Sequence, residues 1–493
     1  MQIELDRNNR EPLYRQLVTS VQQRIRSGAL PPRTRLPTVR QLAQQLGVTR
    51  LTVHSAYAEL QSGGWIEATV GRGTFVAEQI AQLITPPEAQ LGREVTPAGM
   101  LADMLRMTQL PGLLSLARAD PDPELFPLRA WQRASDLALS QGGVALMNYT
   151  TAQGDLQLRS AIAEVSRDRG ITVGPDEIMV LNGVNHGMAL ACELLAGSGA
   201  TVLVEQPTYL GMLNILQARG IRTLGVSLDA EGPILTELEQ VFRTERPAFF
   251  YTIPTHQNPR GVCMSMARRE AVVRLAERYQ VPVVEDDIYS SLHYEGVALP
   301  AIKTLDRTGM VIYLNSFSKN LMPGLRMGYA IAAPVLIQRM ARARQAHDIC
   351  APLMTQRALA IFLEQGGLES HLRRVIPRYR ERRDALQRAM ERFFPADVRW
   401  TQPRGGYSCW VRVPDDVDVT ELYLSAIGRG VAFTPGAVFF ATAGAKPYLR
   451  LCYGIEGPDR LRDAVATLGS LLRERRNVPM GTGPALSDFV PVV

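Results

Sequence analysis

The sequence predicts two fold classes in one chain of 493 residues, a small α+β domain at the N-terminus and a larger α/β domain after it. Three observations carry this. Residues 1–80 hold three helix-period apolar patterns followed by a hairpin pattern. From Leu113 onward, short apolar runs alternate with helical stretches, the signature of a mainly parallel sheet. Between the two, residues 81–112 are broken by Pro86-Pro87, Gly92, Pro97, Gly99 and Pro111-Gly112, and read as a linker with one amphipathic stretch, Met100 to Met107. The expected boundaries are 1–80, a linker at 81–112, a second domain at 113–476 and a flexible, aperiodic tail at 477–493.

Composition narrows the class further. A hydrophobic fraction of 46% and a charged fraction of 21% are those of a soluble globular protein. No apolar run approaches the roughly 20 residues a membrane span requires, and Met1-Gln2-Ile3-Glu4-Leu5-Asp6 is no signal peptide, so a cytoplasmic protein is expected. The five cysteines are scattered and never form a CxxC pair, and the histidines show no ligand spacing; neither a disulfide framework nor a metal site is expected. The net charge of +6 is mild, but residues 1–80 hold ten arginines against six carboxylates. Most of the excess is thus concentrated in a sixth of the chain.

In the first domain, Pro12 opens a helix through Leu13, Leu17, Val21 and Ile25 that stops at Gly28. Thr38-Val39-Arg40-Gln41 is a capping box for a second helix running through Leu42 and Leu46 to Gly47. Thr49 caps a third, with Val53, Tyr57 and Leu60 as its buried stripe. Two helices joined by a tight turn are a helix-turn-helix, whose second helix enters the major groove. Leu51, Thr52 and Ser55 lie opposite the stripe and Arg50 sits in the first turn, where side chains reach bases or phosphates. Trp65–Ala68 and Gly73–Ala77 read as two strands around a basic tip, Gly71-Arg72-Gly73, which completes a winged helix.

These seventy or so residues resemble the GntR-type winged-helix family, through Pro12–Leu17, Ser27–Pro31, Leu36–Ala43, Thr49–Val53 and Gly71–Val76. The resemblance implies DNA contacts from Arg40, Arg50 and Thr52, with Arg72 on the wing. Two positions depart from the family pattern. Arg33 stands at a turn where glycine is favoured, and Leu51 replaces a usually polar residue.

In the second domain, Glu177–Leu181, Thr201–Glu205, Ala248–Tyr251, Val281–Glu285 and Val311–Leu314 read as buried strands. Ligands of such sheets bind at the carboxyl ends of the strands, and the chemically interesting residues follow those ends. Gly183-Val184-Asn185 leaves one strand and opens a helix, whose free N–H groups suit a phosphate. Tyr209 follows another, where an aromatic can stack on a planar ring. A carboxylate at Asp286 or Asp287 can keep a pyridine nitrogen protonated, and Asn258 and Tyr289 can hydrogen-bond a ring hydroxyl.

Lysine usage singles out one further segment, Asn315 to Gly328. Only Lys303, Lys319 and Lys446 occur among 54 basic residues. Arginine stays protonated, whereas a desolvated lysine can lose its proton and condense with an aldehyde. Lys319 lies between Ser316, Ser318 and Arg326, groups that suit the phosphate of a phosphorylated aldehyde.

Residues 113 to about 476 resemble a fold-type I pyridoxal-phosphate enzyme of the class I/II aminotransferase group, with a large parallel-sheet domain and a smaller α+β domain. The resemblance implies Lys319 on the cofactor aldehyde, Asp286 on the ring nitrogen, Asn258 and Tyr289 on the ring oxygen, and Arg326 on the phosphate. It also implies Tyr149 on the phosphate of the neighbouring subunit's cofactor, and Arg450 of Pro447–Leu451 on a substrate carboxylate. A winged helix followed by such a domain resembles the MocR-type subfamily of GntR regulators. That resemblance implies a homodimeric transcription regulator that binds an operator in double-stranded DNA and senses an amine or amino acid by aldimine exchange at Lys319. The alternative is a pyridoxal-phosphate aminotransferase with an auxiliary DNA-binding domain.

Overall fold

Around the capping box, Gln41 N donates to Thr38 Oγ1 at 3.3 Å and Thr38 N donates to Gln41 Oε1 at 3.0 Å, which starts the helix Val39–Leu46 where the sequence places it. In this computed structural model, residues 12–26, 30, 33–62, 65–69, 73–77, 96–107, 112–197, 199–442 and 446–475 are described. They fall into two compact units, Met1–Leu91 and Gly92–Val493. The expected wing residue Arg72, most of the expected linker and the expected tail lie outside the described residues.

The N-terminal unit contains the helices Leu13–Arg26, Val39–Leu46 and Arg50–Ser62 and an antiparallel hairpin of Ile66–Thr69 with Gly73–Val76. Leu17, Val21 and Ile25 meet Leu42, Val53, Tyr57 and Leu60 in one core. The Tyr57 hydroxyl donates to Pro37 O at 2.8 Å and ties the third helix to the start of the second. Thr52 N donates to Thr49 Oγ1 at 3.2 Å, so Thr49 caps the third helix as expected. Gly47 closes the second helix at φ 62°. Arg33 has φ 64°, the left-handed region that makes glycine the usual choice at this turn.

The second unit is built on a seven-stranded sheet ordered Ile178–Leu181, Gly328–Ile331, Val311–Ser316, Val283–Asp286, Phe250–Thr252, Thr201–Gln206 and Arg222–Ser227. All are parallel except Gly328–Ile331, which runs against both neighbours. The sequence pattern predicts five of these strands and misses two. Arg222–Ser227 is a partly exposed edge strand without a continuous apolar run, and Gly328–Ile331 follows the lysine segment with hardly a break. A second, antiparallel sheet of Arg399–Trp400, Ser408–Arg412, Tyr448–Cys452 and Thr434–Pro435 forms the smaller half. Leu114–Ser115 pairs in parallel with Val431–Ala432, so the start of this unit is fastened to that smaller half. The amphipathic stretch of the expected linker is the helix Pro97–Met107, packed on the helix Leu210–Ala218. No helix among the described residues is long and apolar enough to cross a membrane, and no cluster of metal-ligating side chains occurs among them.

Candidate functional site

The loops after the parallel strands bring most of the expected residues together. Lys319 lies on the short helix Phe317–Asn320 that follows Val311–Ser316, and Asp286 ends the adjacent strand. Burial favours the neutral forms of the Tyr209 and Tyr289 hydroxyls, and both lie within electrostatic reach of Lys319 and Arg450. Asn258 is buried and its Oδ1 accepts from Arg450 Nη1 at 2.9 Å.

The neighbouring carboxylates Asp286 and Asp287 have different surroundings. Asp287 Oδ2 accepts from Arg169 Nε at 3.1 Å and from the Tyr313 hydroxyl at 3.0 Å, so this group is committed to a buried ion pair. Asp286 Oδ2 accepts from the Tyr251 hydroxyl at 2.6 Å and pairs with no cation; the Oδ1 atoms of both carboxylates are buried without a hydrogen bond of normal geometry, so the Arg169 ion pair is what distinguishes them. Burial pushes the Asp286 carboxyl up to about 7 despite that hydrogen bond. Without a cation of its own, the Asp286 carboxyl is the one of the two that can take an N–H or cationic partner from a bound molecule.

At the first strand end, Gly183 has φ 81° and begins the helix Val184–Leu195 without a side-chain cap. A Cβ at Gly183 would lie 2.6 Å from Arg326 Nη2, so only glycine lets the guanidinium lie against this backbone. Arg326 Nη2 also donates to Asn182 O at 3.2 Å, and Asn185 is exposed at the helix start, 3.5 Å from the Tyr209 hydroxyl. Ser316 and Ser318 are buried beneath; Ser316 Oγ lies 2.9 Å from Ser318 Oγ and 3.0 Å from Met327 O.

The smaller half contributes Arg450. Its Nη2 donates to Ala117 O at 2.6 Å and to Thr434 Oγ1 at 3.1 Å, while Nε is buried and unpartnered. Its guanidinium carbon lies 4.9 Å from the centre of the Phe439 ring.

Desolvation, which favours loss of the proton from a buried lysine, is offset at Lys319. Lys319 Nζ donates to Asp120 Oδ1 at 2.8 Å, and Arg118 grips the other oxygen, with Nε and Nη2 at 3.1 and 2.9 Å. Burial alone would lower the Lys319 pKa, but the Asp120 carboxylate outweighs it and raises the value above that of an ordinary lysine. Asp120 in turn is held well below the usual carboxylate range by Lys319 and Arg118, against the effect of burial. Nothing in the spacing announces Asp120, which lies 199 residues from Lys319.

Tyr149 is 80% exposed, and so in large part are Val144 and Met147, which precede it closely in the sequence. In the N-terminal unit, Arg40 and Arg50 are exposed, Thr52 is half-buried and Leu51 is 73% exposed.

Comparison with known proteins fits this geometry. Residues 113–467 match the family Aminotransferase class I and II, and residues 13–76 match the bacterial regulatory proteins of the gntR family. The HTH-type transcriptional regulator YdfD of Bacillus subtilis, itself uncharacterized, is 30% identical over 471 residues, covering 94% of this chain and 97% of that one. MocR of Rhizobium meliloti, described as a probable rhizopine catabolism regulatory protein, is 29% identical over 472 residues, covering 94% and 95%. The chain belongs to the MocR-type subfamily of GntR regulators. It is a DNA-binding regulator with an aminotransferase class I/II domain. Among solved structures, this MocR-type regulator is similar to LysN, an α-aminoadipate aminotransferase of Thermus thermophilus complexed with N-(5'-phosphopyridoxyl)-L-leucine. The TM-score is 0.72 at 32% identity, over 80% of this chain and 98% of LysN.

Pyridoxal 5'-phosphate is the cofactor these relationships imply, and the donor set fits it. The unpartnered Asp286 Oδ1 suits a ring N–H, the glycine cradle under Arg326 suits a phosphate, and Lys319 is an amine within the same cluster.

Proposed function

We propose that the aminotransferase-like domain of this regulator senses an amine or amino acid through Lys319, and that the effector changes DNA binding by the winged helix. The observation that carries the reading is the convergence of Lys319, the buried Asp286 carboxyl, which has no cationic partner, and Arg450 in a chain with a winged helix. When bound, pyridoxal 5'-phosphate supplies an aldehyde that condenses reversibly with amines.

In this reading the chain's own residues divide the work. Asp286 holds the proton on the ring nitrogen, with Tyr251 fixing its other oxygen. Asn258 and Tyr289 bind the ring oxygen, and Tyr209 stacks on the ring. Gly183, Val184 and Asn185 offer the helix start to the phosphate, joined by Arg326, with Ser316 and Ser318 supporting from beneath. Lys319 gives up its place to the effector's amine, and Arg450 receives a carboxylate where the effector has one. Lys319 belongs to the seven-stranded half and Arg450 to the smaller sheet, so an effector touching both favours a closed arrangement. A tenfold change in DNA affinity needs only about 1.4 kcal/mol of such coupling.

The regulator acts as a homodimer in this proposal, with Tyr149 reaching the phosphate of the neighbouring subunit's cofactor. The exposed apolar run Val144, Met147 and Tyr149 supports it. At the winged helix, Arg40, Arg50 and Thr52 touch the operator, with Arg72 on the wing.

The test combines absorbance with DNA titration. Wild-type protein loaded with pyridoxal 5'-phosphate is expected to change its visible spectrum on addition of the effector, and its DNA affinity with it. Lys319→Ala should show neither change while still binding DNA. Arg450→Ala should bind cofactor and DNA normally yet respond weakly to a carboxylate-bearing effector. A DNA response of wild-type size in Lys319→Ala would overturn the sensor reading. The same set of groups also favours transamination as a second reading, which sustained amino-group transfer to a 2-oxo acid would establish.

A further inference from the structure

The ion pair between Lys319 and Asp120 joins the two halves of the second unit. Lys319 follows a strand of the large sheet, whereas the segment carrying Asp120 is fastened to the smaller half. Leu116 N donates to Ala432 O at 2.8 Å, and Cys452 N donates to Leu116 O at 2.7 Å. Ala117 O accepts from Arg450, and the Asp120 carbonyl lies where a Cβ on Gly454 would approach it to 2.2 Å. The Arg118 fork then fixes the carboxylate itself, leaving Oδ1 turned to Lys319. A casual surface pair has neither a pinned backbone nor a clamped carboxylate, and contributes little.

We propose that Asp120 is the resident counter-ion of the Lys319 nitrogen, a positioning residue that keeps a proton on that nitrogen when pyridoxal 5'-phosphate is loaded. This rests on the sensor reading above. The other charged or titratable groups facing Lys319 are Asp286 and Tyr289 from the segment after Val283–Asp286, Tyr209 from the loop after Thr201–Gln206, and Arg450 and Cys452 from the smaller sheet. Of all these groups, Asp120 is the one that places a carboxylate oxygen within hydrogen-bond distance of Nζ. Asp286 is reserved for the ring nitrogen, and Arg450 opposes protonation. An attacking amine adds most readily to a carbon whose attached nitrogen is protonated, because the electron pair moves onto that nitrogen. Asp120 therefore prepares the site for exchange. The effector's ammonium sheds a proton to become the attacking amine, and Lys319, released as a neutral amine, takes up a proton in its place with the same carboxylate as its ion partner.

The experiment is a pH titration of the visible absorbance of full-length, cofactor-loaded wild type, Asp120→Asn and Asp120→Glu. The protonated nitrogen gives the long-wavelength band. Its midpoint in wild type is expected to lie at least about one pH unit above that in Asp120→Asn, a tenfold difference in proton affinity. Asp120→Glu should restore part of the difference. The Asp120 side chain is 25% exposed and Asn keeps its shape, so the variant is expected to load. A purely structural role would alter melting and leave the midpoint in place. Equal midpoints in wild type and Asp120→Asn overturn the proposal alone; a wild type without a visible band removes the cofactor assignment and the proposal with it.

Discussion

The winged helix and the cofactor site spend their charges in opposite ways. Arg40 and Arg50 stand exposed on small helices, where water solvates them at no cost to the fold. Asp286, Asp287, Arg169 and Arg450 are all at least nine-tenths buried, and each is tied to a partner through one atom and has another left unsatisfied. Exposed charges bind a polyanion by releasing its counterions, and tolerate change. Buried charges are held by geometry, so removing one partner leaves the other exposed to the full cost of burial. The contrast explains why the cofactor site is defined by particular atoms while the DNA surface is defined by a pattern.

The largest effect tests the buried side of that contrast. Asp287→Ala should leave Arg169 buried and unpaired and destabilise the chain by about 3–5 kcal/mol, read as a lower denaturation midpoint. Asp286→Ala, one residue away, should change stability far less but weaken retention of pyridoxal 5'-phosphate on dialysis. If Asp287→Ala instead lost the cofactor at normal stability, the two carboxylates would have exchanged roles.

A smaller effect comes from pH in the cofactor-free protein. Burial raises the Asp286 carboxyl from 3.8 to about 7, so the folded chain holds this proton more tightly than the unfolded chain does. The stability this provides is complete below about pH 4 and is lost as pH rises through about 7. Between about pH 5 and about pH 8 the loss from this group should be about 2–3 kcal/mol. Glu285, also raised to about 7 by burial and by Asp287, adds in the same direction. Thermal melts of wild type and Asp286→Asn isolate the Asp286 share; parallel pH profiles for the two proteins would contradict it.

The smallest effect concerns the exposed side. Arg40→Ala and Arg50→Ala should each weaken operator binding by about 1–3 kcal/mol where a base is read, or lower the salt slope by about one where a phosphate is held. Cofactor spectra should be unchanged in both. A variant that lost its visible band would mean that the two units do not work independently.

Much of this contrast is legible in the sequence because it follows local rules. The capping box at Thr38 and Gln41 and the cap at Thr49 involve neighbours a few residues apart, whereas Arg33 stands out only against the family pattern. The strand ends carrying Gly183, Tyr209, Asn258, Asp286 and Lys319 follow from apolar runs and the rule that ligands bind beyond them. What spacing cannot supply is contact between distant segments. The partner of Asp287 is Arg169, 118 residues away, and only that ion pair separates the roles of the two adjacent carboxylates. Asp120 is invisible for the same reason, as is the arrival of its segment on the smaller half. The edge strand Arg222–Ser227 escapes because its residues are too exposed to form an apolar run.

The position of Trp410 gives the molecule an optical gauge of its own. Its ring is 1% exposed, stacked on Tyr448 at 5.3 Å between centroids, and its Cα is the register partner of Arg450. Indole emission falls in the band that a pyridoxal chromophore absorbs, so occupancy of the site is expected to darken Trp410, as a fluorescence titration with pyridoxal 5'-phosphate would read. Trp65 belongs to the N-terminal unit and reports separately on the winged helix. Replacing Trp131 and Trp400 by Phe would leave two native tryptophans, one in register with Arg450 and one in the DNA-binding unit. Binding at either end could then be timed in the same unlabelled protein.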